Sequence, residues 1–242
     1  MFTDSRIGDP VFAAQVRGEV YKLLALCFNE PTSELANDIV HGSLSSALRN
    51  LLENIEAEGW QDSIAAIAGC CDQPDNLDAE SLYGSLKREY PRLFIGPGHV
   101  PAPPYESVHR QDVPEIERGL VMGRSTVDAR RRYAEAGLQL SPDFTDLPDH
   151  IAVELEFMYF LCTKEAEAWQ VQDGEAALQR RAAEHAFLSE HLSKWVPTFC
   201  QAVTQAAQEE FYRGLVCLTQ VWVEGECNRL NVLAGGDAAS VK

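Results

Sequence analysis

A chain of 242 residues with 45% apolar and 24% charged residues can bury a sizeable core and falls in the globular range. Its net charge of −17 is spread over both halves, which argues against nucleic acid, since phosphate binding needs a basic patch and only Arg130-Arg131-Arg132 forms one locally. No apolar run approaches the roughly 18 residues of a membrane span, Met1 to Arg6 do not open a signal peptide, and seven cysteines without a CxxC pair read as buried, reduced thiols of a cytoplasmic protein, Cys27, Cys162 and Cys217 lying within helical patterns.

Asp9-Pro10 gives a cap followed by proline at the first helical position. Val16, Val20, Leu23, Leu24 and Cys27 then share one face of a helix. Thr32-Ser33-Glu34-Leu35 opens a second helix. Leu44, Leu48, Leu51, Leu52 and Ile55 mark a third that ends near Gly59, and Ile64, Ile67 and Ala68 a fourth. Asp78 caps a fifth, whose Leu82, Leu86, Tyr90 and Leu93 run toward Pro91, where a kink or helix end is expected. Tyr83, Tyr90 and Phe94 lie on one face of it, as core residues do.

Tyr90 to Val108 then places five of the chain's 12 prolines (Pro91, Pro97, Pro101, Pro103, Pro104) within 19 residues, beside Gly96 and Gly98. Proline fixes φ, removes a donor and drives the preceding residue out of the helical region, so this is a stiff, extended excursion. Leu93, Phe94, Ile95, Val100 and Tyr105 make it too apolar for a linker, so it is a packed brace or a binding surface. Pro114 to Leu120 reads as a short helix, and Ser125 starts another that ends at Gly137. A second irregular stretch, 138–148, carries Pro142, Pro148, Asp143 and Asp146 and is the better hinge. Helices follow at Pro148–Gln170, with Ile151, Leu155, Met158, Tyr159 and Cys162 as its stripe, at Glu175–Lys194 and at Pro197–Gln208. Trp195 and Phe199 point inward. A last helix over Glu210–Leu233 carries Phe211, Leu215, Leu218, Val221 and Trp222. Without period-two alternation, the fold class is all-α, a bundle of nine to eleven helices. It divides into an N-terminal helical part (1–137, with the Gly-Pro loop at 95–110), the hinge, and a C-terminal helical part (149–242), or folds over as one compact domain.

Catalytic constellations are missing. There is no HExxH, Walker loop, GxGxxG or GxSxG. Among the six histidines only His109 follows a glutamate by three residues, without the second copy that a di-iron bundle needs. His185 and His191 are too far around a helix to share a metal. Cys70-Cys71 lack a nearby histidine. Glu154 and Glu156 point to different sides of their helix, so a carboxylate pair gains no support. No metal site, cofactor or catalysis is expected. Asp149-His150, at the mouth of its helix, reads either as a first-turn aspartate favoured by the helix dipole, with His150 at the surface or partly packed, or as an exposed polar pair that bonds an incoming chain. Tyr105 is the loop residue least easily buried.

Three motifs carry a resemblance. Glu89-Tyr90-x-x-Leu93-Phe94-x-Gly96-Pro97 with Pro104-Tyr105-Glu106-Ser107-Val108 resembles the signature of the TorD/DmsD family of cytoplasmic chaperones. Pro148-Asp149-His150-Ile151-Ala152-Val153-Glu154-Leu155-Glu156-Phe157-Met158 is similar to that family's second signature. Phe187-Leu188-x-x-His191-Leu192-x-x-Trp195-Val196-Pro197-x-Phe199 is similar to its third. At Val108-His109 the chain departs from the tyrosine often seen after the glutamate-serine step. The resemblance implies an all-helical, non-catalytic redox-enzyme maturation chaperone, a monomer or domain-swapped homodimer. It implies binding of the twin-arginine signal peptide and the apo catalytic subunit of a molybdenum-cofactor oxidoreductase, which assists cofactor insertion and holds back export. A NarJ-type assembly chaperone of a membrane-bound nitrate reductase and a helical nucleotide- or metal-dependent enzyme are the alternatives. The residues expected to bind the leader are Leu93, Phe94, Gly96, Pro97, Pro104, Tyr105, Glu106, Ser107, Asp149 and His150, with Asp143 and Asp146 as further carboxylates for the guanidinium groups. Asp149→Ala or Tyr105→Ala is expected to weaken leader binding with little effect on unfolding.

Overall fold

The computed structural model describes residues 8–70, 78–138 and 146–240, with side chains as far as 233. Cys71 and residues 139–145 of the expected hinge, Pro142 and Asp143 included, lie outside the described residues. The chain is all-α: α1 Pro10–Cys27, α2 Ser33–Val40, α3 Ser43–Asn54, α4 Gln61–Gly69, α5 Ala79–Phe94, α6 Glu106–His109, α7 Arg124–Glu135, α8 Ile151–Gln170, α9 Gly174–Phe187, α10 Ser193–Ala206 and α11 Glu210–Ser240. The caps read from sequence hold. Val11 N–H donates to Asp9 Oδ1 (3.0 Å), Leu35 N–H to Thr32 Oγ1 (3.2 Å) and Ser81 N–H to Asp78 Oδ1 (2.8 Å), each satisfying a helix-start donor.

Several boundaries differ from the sequence reading, for local reasons. α5 runs through Pro91 but ends three residues later at Phe94, the helix end expected close to that proline. There the amides of Ile95 (3.1 Å) and Gly96 (2.8 Å) both donate to the Pro91 carbonyl, and Gly96 takes φ +101, a conformation few side chains tolerate. Pro114–Leu120 holds only a single 3-10 turn, Glu115–Glu117. α8 begins at Ile151, so Asp149 precedes the helix and is no first-turn residue. α9 and α10 are joined without a break by a π turn, Leu188–Leu192, which places Pro197 inside a helix instead of at its start. Cys217 is exposed, whereas Cys27 and Cys162 are buried.

One apolar cluster takes side chains from both halves of the chain, from Val20 and Leu24 of α1 to Trp195, Phe199 and Phe211 near the C-terminus. α1 packs chiefly on α8, and α4 on α11. The α4–α11 contact depends on Gly214, where a Cβ would stand 2.9 Å from the Ile67 amide nitrogen. Within this core lies a buried charge network. The guanidinium of Arg17, 2% exposed, bonds Glu165 of α8, Glu184 of α9 and, at 3.4 Å, Glu226 of α11. Arg181 reaches Glu165 at 2.6 Å, and Arg229 reaches Glu226 at 2.6 Å. Against the cost of burial, Arg17 and its neighbours hold Glu165 below the usual carboxylate range. Glu184 fares differently: burial outweighs its attraction to Arg17 and pushes it up to about 7.

Removing one partner of such a network strands the others in a medium that cannot solvate them. Arg17→Met is expected to lower the free energy of unfolding by on the order of 3–5 kcal/mol, read from urea denaturation. Glu184 contributes stability that is full below its ordinary value of 4.5 and lost as pH rises through about 7. Glu184→Gln, neutral throughout, should therefore gain in urea midpoint over the parent between about pH 5 and 8. A difference that stays constant with pH contradicts this assignment.

Candidate functional site

The proline loop and the Pro-Asp-His segment, 42 residues apart at Ser107 and Asp149, are stitched together. Tyr105 and His150 form an isolated antiparallel bridge. The Ile151 amide donates to the Pro104 carbonyl and the Glu106 amide to the Asp149 carbonyl, both at 2.9 Å. Asp149, fully buried, accepts the Ser107 amide on Oδ2 at 3.0 Å. It thus caps α6, not α8. The cap of α8 is His150, whose Nδ1 accepts the Ala152 amide at 3.1 Å. Burial lowers the His150 imidazole pKa against the pull of Asp146 and Asp149, which suits a ring that accepts from a backbone amide.

Seven of the ten residues expected at the leader site are buried: Leu93, Phe94, Pro104, Glu106, Ser107, Asp149 and His150. Leu93 and Phe94 are core. Phe94 packs edge-on against Tyr90 (5.1 Å between ring centres) and Tyr212 (5.6 Å). Pro97 is exposed, and Gly96 and Tyr105 are half-buried. The Tyr105 ring meets His150 edge-on at 5.5 Å, and its hydroxyl donates to Asp146 Oδ1 at 2.8 Å. What the loop shows to solvent is a strip of Ile95 (62% exposed), Pro97, Gly98 and His99, flanked by Tyr105 and the exposed Asp146. A second exposed carboxylate, Glu30, stands near enough that, after burial itself, Asp146 and Glu30 together help push the Tyr90 phenol up to about 12. Glu89, in the first motif, is a brace. It accepts the Gln208 amide at 2.6 Å and a forked pair of bonds from Arg92, joining α5 to the α10–α11 turn.

Behind the strip lies a buried polar cluster that the sequence reading did not assemble. Glu106 binds Arg110 on one oxygen and His191 Nδ1 on the other at 2.8 Å, and His191 Nε2 meets Asp128 Oδ2 at 3.1 Å. Glu154 Oε2 accepts the Trp195 indole N–H at 2.9 Å, while its Oε1 has no N–H or O–H donor and faces Glu106. Burial first, and the charge of Glu106 second, raise the Glu154 carboxyl well above its ordinary range. A carboxylate pair therefore does exist, Glu106 with Glu154, where the Glu154/Glu156 spacing offered none. With His191 it is also a set of metal-ligating atoms. The one hint available in the sequence was that Glu106, Glu154 and His191 each fall in a different one of the three motifs. His109 is buried, with Nε2 on the Pro103 carbonyl (2.7 Å) and its ring stacked on Trp195.

Compared with known proteins, residues 44–201 match the family model described as nitrate reductase delta subunit. A chaperone protein TorD of Shewanella pealeana is 26% identical over 220 residues, covering 89% of this chain and 90% of the relative. A perchlorate reductase assembly chaperone protein of Dechloromonas aromatica is 26% identical over 231 residues, 94% of this chain and 95% of the relative. A selenate reductase assembly chaperone protein of Thauera selenatis is 34% identical over 126 residues, 51% and 60% of the two chains. No described helix is long and apolar enough to cross a membrane.

Because Asp149 satisfies a buried amide, its replacement should act on folding first, contrary to the sequence-based expectation. Asp149→Ala is expected to cost on the order of 1–3 kcal/mol of stability, and Asp149→Asn, which keeps an acceptor, to recover part of it. Urea unfolding of the two variants checks this; an alanine variant as stable as the parent would contradict the capping role.

Proposed function

This chain belongs to the nitrate reductase delta subunit family, and we propose on that premise that it is a cytoplasmic chaperone for the maturation of a molybdenum-cofactor oxidoreductase. In this reading it binds the enzyme's twin-arginine leader and apo catalytic subunit, assists cofactor insertion and holds back export until the cofactor is in place. The chain has no part in the client's chemistry. Its task is to recognise and restrain.

The observation that carries the reading is the exposed strip at the stitched loop. A twin-arginine leader offers planar cations followed by an apolar stretch. Asp146 and Glu30 are exposed carboxylates of the kind that pair with guanidinium groups through two parallel bonds. Ile95, Pro97 and the half-exposed Val100 give an apolar surface that is already stiff, so little order has to be imposed on the receptor side. Tyr105 stands between the two regions. The buried members of the expected set (Leu93, Phe94, Pro104, Glu106, Ser107, Asp149 and His150) take part by fixing the loop, while Gly96, Pro97 and Tyr105 make contact. The names of the relatives, chaperones of TorD type and of perchlorate and selenate reductases, support an oxidoreductase client.

A leader is flexible in solution, and ordering it on the receptor limits the affinity. Calorimetric titration with a panel of twin-arginine leader peptides is expected to give saturable binding, weakened about tenfold, or about 1.4 kcal/mol, by lysine-lysine replacement. Tyr105→Ala and Asp146→Ala should each weaken it comparably while the thermal midpoint stays nearly unchanged. Absence of binding both to every leader and to the apo-enzyme refutes the reading. Membership of the nitrate reductase delta subunit family favours one second reading, an assembly chaperone of a membrane-bound nitrate reductase, and binding indifferent to arginine-to-lysine replacement would select it.

A further inference from the structure

We propose that Glu106, Glu154 and His191 bind one first-row divalent cation, Zn2+ or Mn2+, which clasps the proline loop, α8 and the π turn behind the exposed strip. One ligand atom from each residue lies within 4.8 Å of the other two. Glu106 and Glu154 are 0% exposed and His191 is 1% exposed. The site goes beyond the leader-binding reading and does not depend on it.

A second observation points to a ligand. Glu154 Oε1 has no donor of its own although its residue is wholly enclosed; it faces the Glu106 carboxylate, so a proton or a cation has to stand between the two acceptors. Asp149 Oδ1 and Glu184 Oε1 also lack a donor, but the Glu154 oxygen shares its place with two other metal-ligating side chains. The atoms on the far side of the three ligands are all engaged. Trp195 holds Glu154 Oε2 at 2.9 Å, Arg110 holds Glu106 Oε1, and Asp128 holds His191 Nε2 at 3.1 Å. That leaves Glu154 Oε1, Glu106 Oε2 and His191 Nδ1 to converge. Outer partners of this kind orient metal ligands and fix the histidine tautomer. With the ion bound, Nδ1 gives its lone pair to the metal and the Nε2–H donates to Asp128.

The donor set chooses the ion. Two carboxylate oxygens and an imidazole nitrogen suit Zn2+ or Mn2+, whereas Mg2+ favours oxygen ligands and retains its waters. Around Zn2+, ligand atoms at about 2.0–2.2 Å from the metal stand roughly 3.4 Å apart. Glu106 Oε2 and His191 Nδ1, now 2.8 Å apart, have to open slightly by side-chain rotation. The π turn serves this geometry. It carries Leu188, His191 and Leu192 all into the interior, and such turns frequently mark functional positions in helices.

The test uses the full chain, stripped with chelator and desalted. Zn2+, Mn2+ and Mg2+ are added separately, thermal unfolding is recorded, and metal content is measured by elemental analysis after gel filtration. Zn2+ or Mn2+ should raise the midpoint by several degrees and remain bound at one ion per chain, and Mg2+ should do neither. Glu154→Gln can still accept from Trp195 and donate to Glu106, so it should fold, as judged by circular dichroism, and lose the retained ion. His191→Gln should also lose it, and decides the matter if the first variant proves unfolded. No retained ion and no shift in midpoint would mean that a proton occupies the place between the carboxylates, and the proposal fails. Retention undiminished in both variants would place the ion elsewhere and equally overturns it.

Discussion

The structure depends on how a proline-rich segment finds partners for the few backbone donors it has left. Pro101, Pro103 and Pro104 have no amide hydrogen, so the loop is held by the donors between and after them. Ala102 turns back to the Leu93 carbonyl, and Glu106 and Ser107 both turn to Asp149. The Ile151 amide comes the other way, to Pro104. A buried amide left unpaired is costly, which makes the segment at 149–151 the necessary complement of the loop. Neither would be ordered as it is without the other.

This pairing also explains why three motifs far apart in sequence form one site. The stitched segments carry Glu106 and Glu154 inward, and the π turn and the first turn of α10 bring His191 and Trp195 to meet them. The outward side of the same junction is apolar and acidic in turn, with Ile95 and Pro97 beside Asp146. One junction therefore has an inner polar face that holds it together and an outer face available to a partner. The residues of the expected signature divide between a buried and an exposed side of the junction, with Tyr105 half-buried at the boundary.

The sequence made local features legible and long-range ones opaque. Asp9 and Asp78 are readable as caps, and Thr32 as the opening of a helix, because a cap involves only residues a few positions away. The stripes of α1, α8 and α11 were readable because burial imposes a helical period. Nothing local announces that Glu154 meets Glu106 or that Arg17 meets Glu226. Those pairs depend on packing between distant elements, and a lone arginine in an apolar stripe reads as an exception to the pattern. Tyr105, expected to be hard to bury, is half-buried against His150. Asp149 was placed in the helix it precedes, since its actual donor, Ser107, lies in another segment altogether. The exposed Cys217 shows the same limit: it sits one position off the stripe set by Leu215 and Leu218.

The Arg17 network has a consequence for how the chain is made. Arg17 emerges from the ribosome early, but its carboxylate partners lie at 165, 184 and 226. Until those are synthesised, α1 carries a charge that cannot be buried, and its packing on α8 cannot be completed. Domains fold as units, and contacts of long sequence separation close late. The charge of Arg17 is thus fully met only once α8, α9 and α11 have all joined α1, and a chain truncated before α11 would keep Glu165 and Glu184 on Arg17 but lack Glu226.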